Sequence, residues 1–230
     1  MRKSMIAICL ITFFAQGYFL FGQTPKTNFR EATWGMTQKA VIKLEGQEPR
    51  GKGTDNITGL DYIGYTGKAG SLSCNYFYYF ADDKLVKGWY IFTDDHFGHK
   101  EAYIDDFNTA KNALAEKYGK PAREQPALKS DKDNVNDFLR RPTKEKSASK
   151  NDIYKMYPEL LWDEMAQGKV RYEAFWTLDD TEIFLYLTVS DYKQMPPEGK
   201  THHMLHYKST RPEHIDLMNK AEEKAKKGIW

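Results

Sequence analysis

The sequence predicts an α+β fold in which antiparallel sheets carry helices packed on one face, organised as two tandem α-β-β-β-α units. Three observations carry this. Apolar residues alternate from Leu72 to Phe92 and are interrupted once, at Asp82-Asp83. The same pattern returns from Val170 to Val189 around Asp179-Asp180. Downstream of each hairpin, Tyr103–Tyr118 and Thr210–Gly228 place their apolar residues at helical spacing. A period of two lines one face of a sheet, and a period near 3.6 lines one stripe of a helix.

Residues 1–22 carry Arg2 and Lys3 and then an uncharged apolar run from Met5 to Phe21, the layout of a secretory signal. Export to the periplasm or the medium is expected, the alternative being a chain anchored by this segment uncleaved. The first unit spans 29–121. Phe29–Gly46 reads as a strand end followed by a short helix, with Thr37 as N-cap, Met36 and Val41 as a hydrophobic staple, Ala40, Val41 and Leu44 as the buried stripe, and Gly46 as the stop. Trp34 should anchor the core. Gln47–Thr58 is polar and glycine-rich, a loop, and Leu60–Gly64 alternates as a strand.

In the central hairpin a turn at Asp82-Asp83 sets Phe80 opposite Leu85. Continued regularly, that register puts Cys74, Tyr76, Tyr78 and Phe80 on the core face with Leu85, Lys87, Trp89 and Ile91. The other face receives Ser73, Asn75, Phe77, Tyr79, Val86, Tyr90 and Phe92. The helix Tyr103–Tyr118, stopped by Gly119 and Pro121, should lie across this hairpin.

Residues 130–150 are charged and poor in large apolar groups, an exposed linker or insertion. The second unit, 155–228, begins with the short apolar segment Tyr157–Ala166. Its strands Val170–Leu178 and Glu182–Val189 set Trp176 opposite Ile183 across a two-residue turn. Thr201–Lys208 follows as a strand. The last helix starts at a Thr210–Glu213 capping box, buries Leu217, Met218, Ala221 and Ala225, and ends at Gly228.

The full chain has 230 residues, 40% of them hydrophobic and 14% aromatic, which is ample for one core or two small ones. Residues 1–22 hold two of the 34 basic residues and none of the 32 acidic ones, so a processed chain is formally neutral. That removes the drive toward nucleic acid and toward strong membrane binding after signal removal. Of the two cysteines only Cys74 lies beyond the signal, and it reads as a small hydrophobe within a strand.

Trp34-Gly35-Met36-Thr37 with Ala40–Gly46 resembles the Trp-Gly-x-Ser/Thr helix start of many small bacterial envelope proteins. The longer stretches YYFADDKLVKGWYIFTDDH, YIDDFNTAKNALAEKYGKP, WTLDDTEIFLYLTVSDY and HYKST are similar to an uncharacterised family of exported bacterial proteins with Asp-Asp hairpins, over most of residues 29–227. A more distant likeness, through Trp34-Gly35 alone, is to the sheet-packed domains of outer-membrane assembly lipoproteins and β-lactamase inhibitor proteins. These resemblances imply architecture and an envelope location, and no activity.

No catalytic signature is present: there is no GxSxG, HExxH or paired CxxC. His202, His203 and His206 lie in a stretch that reads as a strand. There, positions 202 and 206 share a face but stand ~13 Å apart, too far to share one ion. Asp131–Asp137 has Val135 where a calcium loop needs oxygen, and Gly64–Gly70 has Ala69 where a phosphate loop needs Ser or Thr. No metal or cofactor is therefore expected. The expected function is non-enzymatic: an exported binding or envelope-interaction protein whose partner is an envelope protein or a glycan. The candidate binding residues are Phe77, Tyr79, Tyr90 and Phe92. The alternative is a hydrolase-type enzyme whose site is assembled in space from dispersed carboxylates.

Overall fold

The structure, a computed structural model, describes residues 28–96, 99–128, 165, 170–189 and 201–228. The expected signal, the 130–150 linker and the 157–166 segment other than Met165 lie outside them.

Eight strands form one antiparallel sheet. They are β1 (Gly51–Thr54), β2 (Asp61–Ala69), β3 (Leu72–Ala81), β4 (Lys84–Phe92), β5 (Arg123–Leu128), β6 (Val170–Thr177), β7 (Thr181–Val189) and β8 (Thr201–Ser209). Their order is β1-β2-β3-β4-β8-β7-β6-β5, so two four-strand meanders meet through their last strands, with Gly88 paired to Tyr207 and Trp89 to His206 at the seam. Among the described residues the sheet is accompanied by α1 (Gln38–Glu45), α2 (Lys100–Tyr118) and α3 (Pro212–Gly228). No helix among the described residues is long and apolar enough to cross a membrane.

Two strands were not legible in the sequence. β1 forms within the glycine-rich stretch expected to be a loop, and β5 follows α2 where no element was expected. β2 also runs on beyond Gly64, where the expected strand ends, to Ala69. Both extra strands lie at the sheet edges, where backbone pairing to a neighbour, rather than an apolar pattern, makes the strand.

Local chemistry explains α1. Thr37 Oγ1 accepts from Ala40 N at 3.2 Å, and Gly46 closes the helix in the left-handed region at φ 66. Val41 is buried with Met36 and Ile42 against the core, whereas Leu44, expected in the stripe, is 42% exposed. Asp82 and Asp83 both adopt positive φ, 50 and 53, which makes the hairpin turn a tight two-residue one. Asp83 also accepts from Gln38 N at 2.9 Å and so ties the turn to α1.

The hairpin register is corrected one pair beyond that turn. Phe80 does face Leu85, but Tyr79 then pairs with Lys87, leaving Val86 as a bulge. Every later residue of β4 changes face. Gly88, Tyr90 and Phe92 join Cys74, Tyr76 and Tyr78, while Lys87, Trp89 and Ile91 go to the other side. The cause is that Val86 is itself wholly buried: with Leu60, Tyr79 and Ala81 it forms a second small core, so two successive residues of β4 are drawn inward.

Helices pack on both faces of the sheet, not on one. α1 and α2 cover the first face, where Phe107, Ala110 and Leu114 of α2 join the main core. α2 crosses β6 and β7, with Phe107 centred 5.4 Å from Tyr172, rather than the Leu72–Phe92 hairpin. That area is already taken by the segment before α1. The Phe29 ring lies 5.0 Å from those of Tyr78 and Tyr90 and 5.3 Å from Tyr207, and a Cβ on Gly88 would fall 2.2 Å from its Cγ. α3 packs on the second face, with Leu217, Met218 and Ala221 against the small core of Leu60, Tyr79 and Val86.

The same leading segment joins the meanders. Trp34 Nε1 donates to Thr181 Oγ1 at 2.8 Å, and Asn28 Nδ2 donates to Asp180 Oδ1 and Thr181 Oγ1. Across the seam, Gly35 N donates to Leu85 O and Leu85 N to Met36 O, each at 2.8 Å. Trp176 faces Ile183 across the Asp179-Asp180 turn, as expected, and Arg211 holds Asp180 from the start of α3.

Candidate functional site

The bulge at Val86 decides which side chains share the second face. Across neighbouring strands, Phe77 pairs with Trp89, Trp89 with His206, His206 with Phe184, and Phe184 with Phe175. Five ring residues therefore form one continuous row over β3, β4, β8, β7 and β6. At one end Phe77 lies flat against Gly64, where a Cβ would come 2.7 Å from its ring. At the other, the Arg123 guanidinium stands 5.8 Å from the Phe175 centroid.

Trp89 and His206 make the closest contact of the row, with centroids 4.3 Å apart. Tyr186 stacks on Phe184 at 5.2 Å and lies 5.4 Å from His206. On the other flank Tyr79 stands 5.9 Å from Trp89, under α3. Phe77, Trp89 and His206 are only half-buried, whereas Phe184 is buried, so the stretch of the row from Phe77 to His206 forms a floor with α3 as one wall.

Two ring nitrogens in this floor, Trp89 Nε1 and His206 Nε2, are buried yet hydrogen-bond to no protein group. Such atoms usually find a partner, because leaving one unmade costs about 1–3 kcal/mol. Burial, reinforced by the charge of Lys87, pushes His206 down to about 3, which keeps it neutral. One row along, Lys87 pairs with Lys208 and Lys208 with Glu182. Burial and the nearby Lys208 lower Lys87 to about 8, while Asp55 and Glu222 pull the other way. Charge of both signs thus borders the rings.

The four residues expected to form one patch are divided. Phe77 and Tyr79 are on the second face, in or beside the row. Tyr90 and Phe92 are on the first face, where Tyr90 packs on Phe29 and Phe92 lies 4.2 Å from His203. The bulge is the physical reason. His202 and His206 share the second face and His203 takes the first, as expected of a strand. The sequence reading missed Trp89, His206, Phe184 and Phe175 as site residues. Alternation in β6–β8 marks which of these face away from the core, but only the pairing of β4 with β8, which no local signal specifies, aligns them.

A second polar cluster sits at the corner between β4 and α2. His96 Nε2 lies 2.6 Å from Asp106 Oδ2, and the Tyr103 hydroxyl donates to Asp95 Oδ1 at 2.9 Å and accepts from His96 N. A third, on the first face, joins Arg30, Glu45, Tyr76 and Tyr78: Arg30 pairs with Glu45 at 3.0 Å, and both tyrosine hydroxyls donate to that carboxylate. Cys74 is fully buried, and burial pushes its thiol up to about 11, where the thiolate nucleophile is scarce. Among the described residues no three His, Cys, Asp or Glu side chains are grouped to hold a metal ion.

Comparison with known proteins finds no matching family model, and neither a curated protein nor a solved structure matches the chain. Fold and geometry define the class alone: an α+β protein with one antiparallel sheet and a ring-floored second face.

Proposed function

We propose that this chain is an exported bacterial envelope protein that binds a partner without transforming it, and that the second face is its binding surface. One observation carries the proposal: the half-buried row through Phe77, Trp89 and His206 holds two buried ring nitrogens that meet no protein group. Rings with a polar edge serve recognition well, since they offer large contact area at low entropic cost together with a directional donor. The signal-like residues 1–22 support an envelope location, and the quoted sequence stretches support kinship with exported bacterial proteins. Two meanders that meet last strand to last strand support an origin as two tandem units.

Capture from the native envelope fraction, with Trp89→Ala and Phe77→Asp beside the natural chain, tests this. Both variants should fold and lose the captured partner by tenfold or more. Retention by both at natural levels rejects the second face as the surface.

The corner cluster gives the alternative, a hydrolase, its one concrete form. It brings Asp95, His96, Tyr103 and Asp106 together, two carboxylates within reach of a histidine and a phenol. Under that alternative Asp106→Asn would abolish an activity found by substrate screening; under the binding proposal it leaves partner capture unchanged.

A further inference from the structure

We infer that the second face holds a single-chain amphipathic carboxylic acid, seated lengthwise along the β4–β8 seam with its carboxylate at Lys87 and Lys208. The inference rests on the binding proposal above and names its ligand. Three observations support it.

The first is the order of side chains along the seam. On this face β4 and β8 contribute three successive cross-strand pairs: Lys87 with Lys208, Trp89 with His206, and Ile91 with Met204. Each pair lies two residues beyond the last, so the three span ~13 Å along the strands at ~3.3 Å per residue. All six residues are half-buried, whereas Tyr79 on the β3 side and Phe184 and Tyr186 on the β7 side are buried. The strip between them grades from two ammonium groups, through two rings, to two apolar chains. That gradient matches a molecule charged at one end only.

The second is the lack of acceptors at the charged end. Lys87 and Lys208 stand opposite one another, yet neither forms an ion pair among the described residues. Trp89 Nε1 donates only, His206 Nε2 donates in one of its two neutral tautomers, and neither nitrogen has a protein partner. A carboxylate offers two oxygens that accept from several donors at once, and its charge offsets the repulsion between the ammonium groups. The flexible lysine stems let both ammonium groups reach one such group.

The third is the setting. Asp55 and Glu222 act on Lys87, and Glu182 pairs in register with Lys208. Asp55 is held within its own loop by Ile57 N, Thr58 N and Thr58 Oγ1, and Glu222 is paired with Lys226 at 2.8 Å. These carboxylates temper the field of the lysines without bonding to them, which favours a monoanion over a phosphate or a polyanion. β4 and β8 are also interior strands, paired on both sides. An extended peptide therefore finds no sheet edge here, and recognition falls to side chains alone.

Calorimetric titration with decanoate tests the inference, beside decanol, which keeps the tail without the charge, and acetate, which keeps the charge without the tail. Decanoate should bind, perturb tryptophan emission, and exceed either control by about tenfold or more. Burial and Lys208 bring Lys87 down to about 8, so its charge fades above that pH and affinity should fall from pH 7 to pH 9. Lys87→Met should flatten that fall, and the double variant Lys87→Met, Lys208→Met should lose about tenfold or more at pH 7. Trp89→Phe, which keeps a ring and removes only the Nε1 donor, should lose less. Circular dichroism melting confirms that each variant is folded. Decanol or acetate binding as tightly as decanoate, or affinity untouched in the folded double variant, overturns the inference. If decanoate does not bind while envelope capture still requires Trp89, the acid is wrong and the binding face stands. If capture is also indifferent to Trp89, both fall.

Discussion

A methyl group at Gly88 has no room, because the Phe29 ring occupies that space across the seam between the two meanders. Gly88→Ala should therefore push Phe29 off Tyr78, Tyr90 and Tyr207 and cost several kcal/mol, read as a lowered urea midpoint at unchanged slope. Phe29→Ala in the same chain should recover part of the loss, since it removes the opposing ring. His203 sets a different limit. It is 4% exposed, and burial, with His96 nearby, pushes it down to about 3. The unfolded chain takes up that proton below about pH 6.5 and the folded chain refuses it, so stability is complete above pH 6.5 and falls as the pH drops toward 3. The slope is at most about 1.4 kcal/mol per pH unit for each such histidine, and His206 behaves alike. Urea unfolding at pH 7 and pH 5 should show the loss, and His203→Phe should flatten it.

At the scale of elements, the hairpin turn and the bulge explain what could be read beforehand. Two aspartates in the left-handed region are costlier than the Asn-Gly or Asp-Gly pair that such a turn prefers. Asp83 offsets its cost by capping α1, whereas Asp82 is exposed and holds no such bond. Asp82→Gly should thus stabilise by ~0.5–1 kcal/mol and raise Tm by about 1–4 °C, measured by calorimetry. Thr37, Gly46, Gly119 and the Trp176–Ile183 pairing were legible because each depends on residues close in sequence, and Trp34 was legible as a core anchor from its size and apolarity alone. The face of Trp89 was not. Whether Val86 bulges is decided with the help of Leu60 and α3, which lie far along the chain, and alternation fits either register equally well. The edge strands β1 and β5 were illegible for a related reason: a strand completed by a neighbour's backbone has no need of an apolar pattern.

Over the whole molecule, the two meanders should unfold together, because the segment from Asn28 to Met36 bonds to both. Thr181→Val removes the acceptor of Trp34 Nε1 at nearly constant volume. It should lower stability by about 1–3 kcal/mol while leaving a single unfolding transition, since the bond it breaks joins the halves rather than belonging to either. Separate transitions by tryptophan fluorescence and circular dichroism would count against that unity. The position of this bond also dictates timing. Trp34 is among the earliest of the described residues to be made, and its acceptor comes 147 residues later. At ribosomal speeds of ~5–20 residues per second, that leaves roughly 7–30 s in which Trp34 has no Thr181 to bond, and β4, once made, also waits for β8. A nascent chain held unfinished for so long is available to any machinery that accepts only unfolded polypeptide, and it locks only after its last strand has followed.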